Sequence, residues 1–110
     1  MKKILRIYIP NRAKVSVGLS FWQRLWNPNL SDFVLRKAKE MGIEQAVALN
    51  VTAGYLKGKK LAYDIGEVTP KDFSVILELL DTNQNIAKYL EQFEIFFNEC
   101  RVFILNIEER

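Results

Sequence analysis

Ala46-Val47-Ala48-Leu49-Asn50-Val51-Thr52-Ala53-Gly54-Tyr55 and Phe73-Ser74-Val75-Ile76-Leu77-Glu78-Leu79-Leu80 are two apolar stretches joined by a polar, lysine-bearing connection. Each reads as a β-strand, and neither shows the apolar/polar alternation of a strand with one face in water. Antiparallel strands with one solvated face alternate, so apolar residues on both faces require cover on both sides. A chain of 110 residues can cover one face with its own helices. The other face points to a second subunit. The connection, Leu56 to Lys71, is too long for a tight hairpin turn and carries Lys57, Lys59, Lys60 and Lys71. Loops of that length inside compact domains are usually functional or disordered.

Outward from this pair, Ile4 to Ile9 sets Leu5, Ile7 and Ile9 against Ile4, Arg6 and Tyr8 and reads as a strand ended by Pro10. Asn11 to Pro28 has no strong regularity, although Phe21 to Trp26 has room for one or two helical turns. Asn29 to Met41 reads as a helix: Leu30, Phe33, Val34, Ala38 and Met41 share one face, Asn29 or Ser31 caps it, and Gly42 closes it. After the second apolar strand, Asp81 with Gln84 resembles a capping box, with Asp in place of Ser or Thr. Ile86, Tyr89, Leu90, Phe93 and Phe97 then form a helical stripe. Arg101 to Glu108 reads as a last strand, Val102, Ile104 and Asn106 opposite Phe103, Leu105 and Ile107. No repeat, linker or low-complexity tract interrupts residues 1–110, which read as a single domain.

The order is strand, helix, strand, strand, helix, strand. Right-handed crossovers put both helices on one face of a four-stranded antiparallel sheet, the α+β, ferredoxin-like βαββαβ arrangement. The opposite face would carry Ile4, Arg6 and Tyr8 beside Ser74, Ile76, Glu78 and Leu80, too apolar a set to be left wholly in water.

Composition narrows the function. Hydrophobic residues make up 49% of the chain, mean hydropathy is −0.06, and no apolar stretch approaches the ~20 residues that span a bilayer. The basic, apolar start is broken by Arg6 and stopped by Pro10 before a signal-peptide core forms. A net charge of +3 and a pI near 9.1 suit an anionic small ligand and lack the dense basic stripe of a nucleic-acid binder. An RNA-binding sheet would need aromatics on its middle strands, and Ser74-Val75-Ile76-Leu77 supplies none. The lone Cys100 cannot form an internal disulfide, in keeping with a reducing cytoplasm. The chain has no histidine, which removes the commonest metal ligand and the commonest general base. Neither a metal cluster nor a base beside a nucleophile is discernible, so no metal, no cofactor and no catalytic residue is expected.

Four segments together resemble the uncharacterised bacterial PII-like proteins, relatives of the PII nitrogen-signalling proteins, whose topology and trimeric form the CutA cation-tolerance proteins share. They are Leu5-Arg6-Ile7-Tyr8, Arg36 to Ile43, Ala46 to Tyr55, and Asp72 to Asp81. The resemblance covers most of the chain except Asn11 to Asn29. It implies a non-catalytic homotrimer with ligand clefts between subunits and a flexible loop between strands two and three that contacts a target protein. An adenine nucleotide is a possible ligand on this resemblance, and a membrane transporter a possible target. The chain departs from the pattern in three places. Asn50-Val51 stands where the family often has Arg-Gly, and Leu56 where a second glycine follows the Tyr. Asn98-Glu99-Cys100 replaces the glycine- and basic-rich phosphate loop of the PII proteins themselves. CutA's proposed metal role finds no site here.

The candidate ligand-binding residues are Asn50, Thr52, Gly54, Tyr55, Lys57, Lys59 and Lys60. Gly54 to Lys60 superficially suggests a phosphate loop but lacks the glycine spacing, the Ser or Thr after Lys, and the following helix. It reads either as a solvated basic loop or as lysines that close over an anionic ligand or a partner's acidic patch. Gly54 itself reads as a bulge or a close backbone approach. Asn50, an amide in an apolar strand, calls for a hydrogen-bond partner. Arg6, Tyr8 and Glu78 share a face of neighbouring strands, as a structural ion pair at a subunit interface or as part of a ligand site. Trp22 and Trp26 read as anchors of an irregular segment, and Phe93, Phe96 and Phe97 as core. A second function class, a dimeric α+β barrel enzyme, also fits the topology. It would enclose a pocket between paired sheet faces, and a dimeric mass would separate it from a trimer.

Overall fold

The computed structural model describes residues 1–10, 29–63 and 75–110. Strand β1 (Lys2–Ile9) is followed by helix α1 (Leu30–Glu40), β2 (Gln45–Asn50), two short strands β3 (Ala53–Gly54) and β4 (Ala62–Tyr63), β5 (Val75–Thr82), helix α2 (Asn83–Phe93), a 3-10 turn (Glu94–Phe97) and β6 (Arg101–Asn106). The long strands form one four-stranded sheet in the order β2-β5-β1-β6, antiparallel throughout. That order is the ferredoxin-like βαββαβ fold expected from the element sequence. The irregular segment with Trp22 and Trp26, the turns expected at Phe21 to Trp26, and residues 64–74 with Lys71 and Ser74 lie outside the described residues.

Register assigns every sheet residue to a face. Leu5 pairs with Leu79 and Ile7 with Leu77 across β1 and β5, and all four are fully buried. Because side chains alternate along a strand, this parity faces the helices. Leu30, Val34 and Ala38 of α1, Ile86 and Tyr89 of α2, and Phe97 complete a single core with them. The spacing of four between Leu30, Val34 and Ala38 is the helical repeat that brings one stripe onto the sheet.

Local chemistry sets the helix ends. The Asn29 side chain accepts hydrogen bonds from the Ser31 and Asp32 backbone amides at 2.8 and 3.4 Å, satisfying donors that have no partner within the helix. At the other end Gly42 adopts φ +75°. Its amide donates to the Lys39 carbonyl and the Ile43 amide to that of Ala38, both at 3.0 Å. This is the Schellman closure, which needs a left-handed residue and so favours glycine. At α2 the cap falls one residue later than the capping-box reading placed it. The Thr82 hydroxyl, not Asp81, accepts from the Asn85 amide at 3.2 Å. Asp81 is instead buried at 6% exposure and joins three segments. It accepts from the Glu44 amide at 2.8 Å, the Thr82 amide at 2.6 Å and the Asn85 side chain at 2.9 Å.

A buried polar contact joins the helices. Tyr89, with no exposed surface, donates its hydroxyl to the Val34 carbonyl at 3.0 Å, and burial raises its phenol pKa well above the ordinary 10.0. Tyr89→Phe keeps the ring packed and removes this bond. The Val34 carbonyl stays within the helix, so the expected loss is about 1 kcal/mol in urea unfolding.

Candidate functional site

Two features face away from the core: the open side of the sheet and the turn that follows β2. On the open side, Arg6 stands directly opposite Glu78 in the β1–β5 register. Its guanidinium contacts one carboxylate oxygen through Nη2 at 2.9 Å and through Nε at 3.1 Å. Desolvation works against the charge on Arg6, but Glu78 and a hydrogen bond with the Tyr8 side chain outweigh it and raise its pKa. Arg6, Tyr8 and Glu78 thus lie together on one face of the sheet. Tyr8 also meets the Phe103 ring edge-on at 5.7 Å, and Arg101 lies over the same ring at 5.3 Å.

Apolar side chains surround this charged centre. Ile4, Ile76 and Leu80 are half-buried, while Val47, Leu49 and Phe103 are 36%, 48% and 42% exposed. Val47 pairs with Glu78 and Leu49 with Ile76, so β2 presents the same parity as the ion pair. The sequence reading assigned this face from β1 and the strand now numbered β5. It missed Val47, Leu49, Arg101 and Phe103, which the alternation of β2 and β6 would have added once the strand order was known.

The second feature departs from expectation at its root. The apolar strand expected to run unbroken from Ala46 to Tyr55 stops at Asn50. Ala53–Gly54 then pairs with Ala62–Tyr63 in a separate two-stranded ribbon. Asn50, exposed at the strand end, is open to water and does not need the internal partner its apolar context suggested. At the tip, the Lys59 amide donates to the Leu56 carbonyl at 2.9 Å, with Gly58 at φ +82°. A positive φ at the third residue of a four-residue turn is the type II requirement, which glycine meets without a Cβ penalty. Thr52, Tyr55, Lys57, Lys59 and Lys60 are exposed and Gly54 is half-buried. The seven candidate ligand residues are thus spread along residues 50–60, from the end of β2 to the tip.

Cys100 is half-buried. Desolvation first, and Glu99 second, push its thiol up to about 11. Because the thiolate is the nucleophile, alkylation of the folded protein at neutral pH should run at least ~10-fold slower than that of a free cysteine. It should accelerate as pH rises toward that value, as followed by intact mass. Among the described residues, no group of three acidic or cysteine side chains is placed to hold a metal ion, and no helix is long and apolar enough to cross a membrane.

This architecture is that of the PII-like proteins. The chain superposes with a TM-score of 0.55 on CPII of Thiomonas intermedia K12 in its complex with ADP, AMP and acetate, at 17% identity, covering 99% of this chain and 88% of that one. For CPII bound to ADP and bicarbonate the TM-score is 0.53 at 16% identity, covering 96% and 84%. CPII is described as a nitrogen regulatory PII-like protein. At such identities the likeness establishes the fold. Residues 2–108 match the DUF190 family, described as an uncharacterised ACR, and the chain belongs to that family. A UPF0166 protein of Aquifex aeolicus (strain VF5) is 28% identical over 91 residues, 83% of this chain and 77% of that relative.

Proposed function

We propose that the chain is a non-catalytic PII-like regulator that assembles as a trimer through the open face of its sheet. It binds a small anionic ligand, an adenine nucleotide being the leading candidate, in clefts between subunits. It signals to a partner protein, such as a membrane transporter, through the loop at residues 56–71. The observation that carries this reading is the open face itself. Val47, Leu49 and Phe103 stand exposed around a half-buried Arg6–Glu78 pair, a combination suited to cover by another copy. Strand β2 belongs to that face and leads through Val51, Thr52 and β3 to the lysine-bearing turn, so assembly through the sheet would bring the base of that ribbon to a subunit boundary. The complexes of CPII with ADP, AMP and bicarbonate support the choice of ligands to test first. Asn50, Thr52 and Gly54 would line the cleft, with Tyr55, Lys57, Lys59 and Lys60 closing over the anion.

Light scattering on the purified chain, followed by calorimetry with ADP, AMP and bicarbonate, tests the two halves separately. A trimeric mass and saturable heat with one of the three are expected. A mass of two copies would instead favour the dimeric-barrel enzyme reading. A trimer that binds none of them would remove the proposed ligand class and leave the assembly standing.

A further inference from the structure

The turn at the end of the β3–β4 ribbon carries a charge the rest of the molecule does not. From Gln45 to Leu61 the chain has Lys57, Lys59 and Lys60 and no acidic residue or arginine. These three charges equal the net +3 of the whole sequence, so the remaining residues balance. The three lysines are exposed. Tyr55 and Leu61, which flank them, are 67% and 55% exposed. The ribbon pairs with itself and lies outside the four-stranded sheet. The segment is thus a small amphipathic tip, basic at its end and apolar on both shoulders.

We infer that this tip docks on an anionic lipid surface. When they are not closed over the cleft anion, its lysines would sit against the phosphate-bearing headgroups, with Tyr55 and Leu61 in the headgroup layer, so that the two contacts exclude each other. Size separates this contact from the protein contact proposed for the whole loop at residues 56–71. A turn of seven residues is much smaller than the roughly 800 Å² per partner of a stable protein interface, which also demands shape complementarity. A headgroup layer demands only positive charge and a few apolar or aromatic side chains at the boundary. Attraction to anionic lipid is worth about a fivefold gain in partitioning for each lysine near the surface. One tip is therefore weak. The inference rests on the proposed assembly for its strength, since an oligomer repeats the tip and multivalent engagement multiplies affinity. A regulator held this way would be concentrated at the membrane beside a membrane-embedded target.

Co-sedimentation of the full chain with phosphatidylcholine vesicles, with and without phosphatidylserine, tests the inference at low and high salt. Binding is expected only with phosphatidylserine, weakening several-fold as salt shortens the screening length. Replacing Lys57, Lys59 and Lys60 together with Ser should abolish it. Tyr55→Ser with Leu61→Ser should weaken it and leave its salt dependence. Lys39→Ser with Lys88→Ser, which removes two exposed helix charges, should leave it unchanged. Equal loss with this control pair would mean general basicity and would overturn the assignment to the tip. Vesicle binding that survives the triple replacement would overturn it too. No vesicle binding by a chain whose measured mass is still trimeric would overturn the lipid inference alone, without touching the assembly. Binding to a polyglutamate peptide in place of vesicles would replace lipid with an acidic protein surface.

Discussion

Asp81→Ala should cost the folded protein about 3 kcal/mol in urea unfolding, a large share of the 5–15 kcal/mol typical of a small domain. Three donors lose their acceptor at once: the Glu44 amide before β2, the Thr82 amide at the end of β5, and the Asn85 side chain on α2. Hydrogen bonds to a charged acceptor are worth more than neutral ones, and donors left unmatched at a buried point carry their own desolvation cost. The pH dependence has a definite sign. Burial opposes the charge, but the hydrogen bonds from Thr82, Asn85 and Glu44 outweigh it and hold the carboxyl below its ordinary 3.8. A carboxyl with a depressed folded pKa binds protons more readily when unfolded. Its contribution is thus fully present above the unfolded pKa and disappears as pH falls through the folded one. The stability gap between the wild type and Asp81→Asn should accordingly be constant near neutrality and shrink below about pH 4. A gap unchanged down to pH 2.5 would show that the charge at Asp81 is not what joins the three segments.

The reach of this interaction explains why the sequence read it only in part. Asp81 beside Gln84 has the spacing of a capping box, and a cap does lie there, but Thr82 makes it. What frees Asp81 for another role is the Glu44 amide, 37 positions away, a proximity that only the β2–β5 pairing creates. Asn29 and Gly42, whose partners lie within four residues, were legible because α1 itself supplies the contact. The parity of β1 was equally plain, Arg6 and Tyr8 interrupting an apolar run. The end of β2 was not: Val51 and Ala53 continue the apolar pattern across it, and nothing local marks Asn50 as the last residue in the sheet. The part of the candidate site that rests on the alternation of β1 and β5 was therefore visible, while its members on β2 and β6 needed the strand order. The part that depends on where a strand leaves its sheet was not visible.

Leu49→Glu should convert the proposed assembly to monomers while leaving the monomer folded, and the two consequences have separate physical causes. In a single copy Leu49 is 48% exposed on the edge strand β2, so a carboxylate there can stay hydrated and the change in chain stability should be within ~1 kcal/mol. If the open face is covered by neighbouring copies, the same carboxylate loses its water without a ready cation on that face, because Arg6 is already committed to Glu78 at 2.9 Å and Arg101 lies over the Phe103 ring at 5.3 Å. An uncompensated buried charge costs several kcal/mol, enough to raise the dissociation concentration by ~100-fold or more for each interface. Ile95→Glu is the matched control. Ile95 is 54% exposed but belongs to the 3-10 turn after α2, on the helix layer. The same change of charge there should leave the mass unaltered. Light scattering across a dilution series reads both variants, with far-ultraviolet circular dichroism verifying the fold. If Ile95→Glu dissociates the assembly and Leu49→Glu does not, the copies meet through their helices. The base of the lysine-bearing ribbon would then not be carried to a subunit boundary by the sheet, and the cleft proposed for the anionic ligand would have to be sought elsewhere.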